Sequence, residues 1–179
     1  SFIGWGKSTQ LGYSLGLAMG AKLAEPDKLC VNVMGDLAFS TVGLDVETAV
    51  RSKIPTMTII INNAYMSIYD DSRFPVAMEK YNIKGLSGEF VEVARAMGAY
   101  TEQITDPAEI VNAIKRGVAA TEAGNTVVLE FITRDGGSWG GLHSPEAAAS
   151  VAAFRRRFGL EPPPAAPPST PAPAPIFPP

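Results

Sequence analysis

Asp36 and Asn63 stand 27 positions apart, and each lies one residue beyond a short, largely apolar run. A carboxylate, an amide oxygen and a nearby main-chain carbonyl together form a small cluster of hard oxygen donors. Mg²⁺ accepts such a set when a ligand's phosphates and water complete its octahedron. The chemistry suggested is a metal-bridged diphosphate. Turn formation is the commonest use of Asp and Asn after a strand, and the pair taken alone favours it.

The elements around these residues must bring them together. Residues 29–34, Leu-Cys-Val-Asn-Val-Met, close on Gly35-Asp36, and residues 56–61, Thr-Met-Thr-Ile-Ile-Ile, close on Asn62-Asn63. Both runs have the length and β-branched content of buried parallel strands. Between them a helix is predicted over residues 42–53, with Val42, Val46, Ala49 and Val50 on one stripe and Pro55 ending it. The unit is βαβ, so both carboxyl ends open onto one edge of the sheet, where open α/β sheets bind ligands.

Gly35-Asp36 and Asn62-Asn63 at this interval resemble the diphosphate-binding motif of thiamine-diphosphate (ThDP) enzymes, Gly-Asp-Gly followed by Asn-Asn. Residues 3–132 resemble the acetolactate synthase branch of that family. The resemblance implies that Asp36, Asn63 and the main-chain carbonyl of Tyr65 hold Mg²⁺. It also implies cofactor contacts from Gly35, Leu37, Ala38 and Met66. Leu37 departs from the motif, which has Gly or Ala there, so its side chain must point away from the diphosphate. In the same family the carbonyl at Thr9 meets the cofactor's 4′-amino group, and Leu11 wedges between its two rings. Holding the rings folded brings that amino group beside the reacting carbon.

The Gly6-Lys7-Ser8 triplet is not a triphosphate loop, because Ser1 occupies the position of the required first glycine and no strand precedes it. A helix is predicted over residues 10–24, with Leu11, Leu15, Ala18 and Leu23 among its apolar positions; Leu11 is also readable as an ordinary core residue. Gly12, Gly16 and Gly20 recur every four residues, and Gly16 and Gly20 are assigned to tight helix packing. After Asn63, residues 64–71 mix aromatic and acidic side chains. Ser67 and Ile68 replace the family's usual Gly and Met, and Tyr69, Asp70 and Asp71 are read as an exposed loop, with substrate contact as the alternative. Residues 72–87 lack periodicity and are read as a long loop or lid.

Helical spacing returns over residues 88–98, with Phe90, Val93, Ala94 and Met97 inward and Gly98 as the stop. A strand over residues 100–104 follows, then Asp106-Pro107 capping a helix to residue 122, then a strand over residues 126–133. The alternation predicts an α/β fold, a doubly wound, mostly parallel sheet with helices on both faces, which is the fold the resemblance also implies. Residues 134–143 are glycine-rich and hold His143, the chain's one histidine, read as solvated with substrate contact as the alternative. A helix over residues 144–158 ends in Arg155-Arg156-Arg157, which complement its dipole. Residues 1–160 form the expected diphosphate-binding module, lacking its first elements. Residues 161–179 are rich in Pro and Ala and form a tail or linker.

The 179 residues are 46% hydrophobic and 18% charged with a formal charge of −3, a globular composition that offers nucleic acid no attraction. No run reaches the roughly 20 apolar residues of a membrane span, and the start carries no signal pattern, so the cytoplasm is the default compartment. Cys30, the single cysteine, is read as a small core hydrophobe. No Gly-x-Gly-x-x-Gly follows a strand, which argues against a dinucleotide-binding domain.

The resemblance implies a 2-oxo acid as substrate, with decarboxylation, carboligation or acyl transfer as the outcome, in a dimer or tetramer. It places the catalytic glutamate on a separate pyrimidine-binding module, a partner chain or a missing segment, so no catalytic residue is assigned to this chain. The alternatives are a non-catalytic ThDP-binding or scaffold subunit and a different ThDP lyase or acyltransferase.

Overall fold

A computed structural model describes residues 1–4, 10–66 and 74–133. Four strands, β1 (Val31–Gly35), β2 (Met57–Asn62), β3 (Tyr100–Ile104) and β4 (Val127–Ile132), form one sheet in the order β1-β2-β4-β3. Every pair is parallel. Six α-helices accompany them among the described residues: α1 (Tyr13–Ala24), α2 (Asp36–Val42), α3 (Asp45–Arg51), α4 (Pro75–Tyr81), α5 (Phe90–Ala96) and α6 (Ile110–Glu122).

Crossover handedness decides which face each helix covers. The chain moves in one direction across the sheet from β1 to β2 to β3 and then steps back to insert β4. Right-handed connections therefore place the helix before β4 on the opposite face. The two apolar clusters follow this division. Leu15 and Met19 of α1, Ala38 and Phe39 of α2, Val46 and Ala49 of α3, and Phe90 and Ala94 of α5 pack with Met34, Ile60 and Val128 of the sheet. On the other face Ala113, Ile110 and Ile114 of α6 pack with Met57, Ile59, Val127 and Leu129. The Phe39 and Phe90 rings meet edge to face, centroids 5.9 Å apart and planes at 73°, a contact that adds about 1 kcal/mol to simple burial.

Several elements differ from their sequence reading. The helix predicted over residues 42–53 is present as the shorter α3, and a further helix, α2, precedes it, entered directly at Asp36 and ended at Gly43. A Cβ at Gly43 would lie 2.6 Å from the Phe39 ring, so glycine is what fits between the two helices. β1 is not a buried strand: it lies at the sheet edge, where Val31 and Val33 are exposed. Cys30 precedes β1 and is half-buried, outside the core. α1 starts at Tyr13, so Leu11 lies before it, and Leu23 faces outward; Leu15 and Met19 are its buried residues. Gly16 and Gly20 are exposed, with no atom of the described residues within 4 Å of an added Cβ, so among the described residues they meet no tightly packed neighbour. In α5 the inward residue is Val91, while Val93 is exposed.

The segment read as a long loop or lid contains α4, introduced by Pro75 and ended by Asn82 in the left-handed conformation. The stretch after it pairs with the loop beyond β2: Met66 N–H donates to Lys84 O at 2.7 Å and Leu86 N–H to Ala64 O at 2.8 Å. The capped helix start at Asp106 is present, its carboxylate accepting from Ala108 N–H at 2.9 Å. The expectations for Thr9, Ser67, Ile68, Tyr69, Asp70, Asp71, the 134–143 loop with His143, the 144–158 helix and the 161–179 tail lie outside the described residues.

Candidate functional site

Strand register brings the two motif ends together. Gly35 is opposite Ile61, so Asp36 and Asn63 leave adjacent parallel strands at the same edge. Asp36 begins α2, and its side chain turns back over the end of β2. One carboxylate oxygen, Oδ1, accepts from Leu37 N–H at 2.7 Å. The other, Oδ2, accepts from Asn63 N–H at 3.1 Å and Ala64 N–H at 2.7 Å. Asp36 is therefore a staple between two strand ends and is only 3% exposed. Among the described residues it has no ion-pair partner. Backbone N–H groups take both lone-pair sites of Oδ2 and one of Oδ1, which leaves the second Oδ1 site for a cation.

The loop after β2 is bent to serve this arrangement. Ala64 has φ +59°, a left-handed conformation that non-glycine residues rarely adopt and that costs on the order of 1 kcal/mol. Asn62 Oδ1 accepts from Ala64 N–H at 2.8 Å, and Asn63 Oδ1 accepts from Tyr65 N–H at 3.2 Å. These side-chain turns hold both Asn residues at the mouth of the edge. Tyr65 bridges to Gly85, and Lys84 Nζ sits 5.4 Å from its ring centroid. The pairing pins the Tyr65 main chain next to Asn63, where its carbonyl was expected to contribute.

Beside this corner lies a cleft of about 580 Å³ whose lining includes Leu11, Gly12, Gly35, Ala38, Val33 and Phe2. Leu11, Gly35 and Ala38, assigned separately to cofactor contact, thus line one space. Gly12 shapes it: φ is +89°, and a Cβ there would lie 2.7 Å from Val42 and 3.0 Å from Ala38 O. Only glycine lets the Leu11 turn press against α2. Leu11 itself is about one-third exposed, and Leu37 is half-buried with its N–H on Asp36. Met66 is tied to the 84–86 segment.

The donor chemistry fits a hard cation. Among the described residues no group of three or more His, Cys, Asp or Glu side chains could hold a metal ion. A metal at this corner would instead take one carboxylate, one amide oxygen and one main-chain carbonyl, an all-oxygen set suited to Mg²⁺ that leaves positions for phosphate and water. Sequence reasoning missed two neighbours of the site, Asn62 as a loop-holding residue and Glu130. The available signal for Glu130 was a charged residue in the middle of the otherwise apolar Val-Val-Leu-Glu-Phe-Ile strand.

A parallel α/β domain with an acidic and amide oxygen corner at the carboxyl edge of its sheet is the class that this fold and site define. The chain belongs to the thiamine pyrophosphate (ThDP) enzymes: residues 1–131 match the family model "Thiamine pyrophosphate enzyme, C-terminal TPP binding domain". It is 28% identical over 124 residues to the mitochondrial acetolactate synthase catalytic subunit of Aspergillus candidus, covering 69% of this chain and 17% of that protein. It is 31% identical over 121 residues to a probable acetolactate synthase of Mycobacterium bovis, covering 62% of this chain and 20% of that protein. A shorter match, 42% over 59 residues, is to a 2-hydroxyacyl-CoA lyase of Oryza sativa and covers 33% and 10%. In three dimensions it resembles the Rhodococcus jostii thiamine diphosphate-dependent 4-hydroxybenzoylformate decarboxylase. The TM-score is 0.57 at 23% identity, over 69% of this chain and 23% of that one, a likeness of fold. The chain spans about a fifth of the length of the acetolactate synthases it matches. Among the described residues no helix is long and apolar enough to cross a membrane.

Proposed function

We propose that this chain is the ThDP- and Mg²⁺-binding module of a 2-oxo acid decarboxylase or carboligase of the acetolactate synthase type. The observation that carries the reading is the Asp36 carboxylate, buried between two strand ends and paired with backbone N–H groups in place of a side-chain cation. Asp36, Asn63 and the Tyr65 carbonyl would hold the metal, beside the place of the diphosphate. Gly35, Leu37, Ala38 and Met66 line the cofactor, with Leu11 and the Thr9 carbonyl at its pyrimidine end. When bound, ThDP supplies the electron sink for cleaving or forming a bond beside a 2-oxo carbon.

This chain's residues bind and orient the cofactor, and the fixed Asp36 staple does so without reorganisation when the ligand arrives. The acid that sets the pyrimidine's protonation comes from a pyrimidine-binding module, on a partner chain or another segment, in a cytoplasmic dimer or tetramer. Residues 1–160 form the module and 161–179 a tail or linker. A different ThDP lyase or acyltransferase is the second reading, favoured by the stronger local identity to the 2-hydroxyacyl-CoA lyase.

Asp36→Asn tests the metal assignment better than alanine. Asp36 stands at a strand end, yet alanine would strip the acceptor from the Leu37 and Asn63 N–H groups and one of two acceptors from Ala64 N–H. Each orphaned buried group costs about 1–3 kcal/mol. Asparagine keeps one oxygen acceptor and loses the charge. Calorimetric titration is expected to show a folded variant whose ThDP affinity no longer depends on Mg²⁺. Wild-type Mg²⁺-dependent affinity would overturn the assignment.

A further inference from the structure

We infer that Glu130 is a positioning residue for the metal- and diphosphate-binding loop, acting through Asn62; the inference rests on the reading of Asp36 and Asn63 as the metal corner. Glu130 lies in the middle of β4 and is fully buried, on the sheet face shared with Ile60 and Val128. Valine or isoleucine would satisfy that environment, and a buried carboxyl group is costly unless it is fully hydrogen-bonded. Both of its oxygens are engaged. Oε1 accepts from Asn62 Nδ2 at 2.7 Å, and Oε2 accepts from Gln103 Nε2 at 3.0 Å.

The consequence for Asn62 is directional. An amide has a donating end and an accepting end, so an acceptor at Glu130 sends the Asn62 oxygen toward the loop. There it accepts from Ala64 N–H at 2.8 Å, the same N–H that donates to Asp36 at 2.7 Å. The result is a polar line across the sheet, from Gln103 on β3 through Glu130 on β4 and Asn62 on β2 to Ala64 and Asp36. Its far end is the left-handed residue between Asn63 and Tyr65. Without Glu130, the Asn62 amide is free to turn its donor end toward the Ala64 N–H, and the strained turn loses one of its two acceptors.

Glutamine at position 130 is the conservative replacement. Its oxygen can still accept from Asn62, while its NH₂ faces Gln103, whose exposed amide can turn over to accept. Leucine keeps the volume and removes both acceptors. The measurement is the Mg²⁺ concentration giving half-maximal ThDP binding in the natural full-length chain, for Glu130→Gln, Glu130→Leu, Asn62→Ala and Glu130→Leu/Asn62→Ala. Loss of an orienting residue behind a metal site typically weakens the metal by 10- to 100-fold. The expected result is a rise of about tenfold or more for Glu130→Leu and Asn62→Ala, near wild-type behaviour for Glu130→Gln, and no further rise in the double variant.

A merely structural role predicts a lowered thermal midpoint with an unchanged Mg²⁺ requirement, and that outcome overturns the inference, as do additive effects in the double variant. Should Glu130→Leu fail to fold, Asn62→Ala decides alone, since the half-buried Asn62 is the link through which Glu130 acts; an unchanged Mg²⁺ requirement there also overturns it. Asp36→Asn is the control for the underlying reading. If it abolishes Mg²⁺ dependence while these variants leave the Mg²⁺ requirement unchanged, the fault lies with the positioning role alone.

Discussion

At the scale of single residues, the three glycines spaced four apart have unequal jobs, and the inequality is measurable. Gly12 combines a left-handed φ of +89° with close contacts to Val42, Thr41 and Ala38, so a methyl group there meets both strain and collision. Gly16 sits within α1, exposed, with no described atom near a Cβ. Alanine in such a helical position is favoured over glycine by about 1 kcal/mol. Gly12→Ala is therefore expected to destabilise the chain by about 1–3 kcal/mol and to disturb the Leu11 turn, while Gly16→Ala leaves stability unchanged or raises it. Denaturant unfolding of the two variants checks this, and equal destabilisation would show that Gly16 packs against something as well. The sequence displays the repeat but not the difference, because backbone conformation and proximity to α2 are tertiary facts.

At the scale of elements, β3 and α6 are joined by a charged pair whose pH response can be signed. Arg116 donates from Nε and Nη2 to the Glu102 carboxylate, at distances down to 2.6 Å, and the Tyr100 hydroxyl donates to the same group. Hydrogen bonding from Arg116 holds the Glu102 carboxyl below its ordinary pKa, while partial burial works against that shift. A depressed folded-state pKa contributes stability that is present above the unfolded value, about 4.3, and is lost as pH falls through the folded one. The thermal midpoint should thus fall more steeply from pH 5 to pH 3 in the natural chain than in Glu102→Gln. Parallel pH profiles would show that the pair contributes nothing measurable.

These two elements were legible before the structure. The β3 run, the Asp106-Pro107 cap and the apolar β4 run are local signals that survive in the fold. What was not legible depends on contacts between elements. The close approach of Phe39 to Gly43, the exposure of Val33 on the edge strand β1, and the pairing of residues 64–66 with 84–86 are all of this kind. The candidate site divides the same way. The spacing of Asp36 and Asn63 is written in the chain, whereas the use of Asn62 and Glu130 depends on which residues the parallel register sets side by side.

At the scale of the whole molecule, the question is whether this chain can turn over a substrate by itself. Activating the cofactor calls for a carboxylic acid at the pyrimidine, in a pocket shielded from water. The buried carboxyl groups among the described residues are Asp36 and Glu130, and both are engaged in the hydrogen bonds that shape the corner between Asp36 and Asn63. Glu47 is exposed on α3 and paired with Arg51 at 2.8 Å, so it is committed to the helix surface. The cleft at Leu11 is open, with Phe2, Ile3 and Val33 exposed around it, as apolar surface is where further polypeptide covers it. The acid is therefore expected from a pyrimidine-binding module facing Thr9 and Leu11. The purified 179-residue chain, checked by circular dichroism and supplied with ThDP, Mg²⁺ and pyruvate, should release no carbon dioxide catalytically, and release should begin when a pyrimidine-binding module is added. Multiple turnovers from the monomeric chain alone would mean that it carries its own acid and that this division between two modules is wrong.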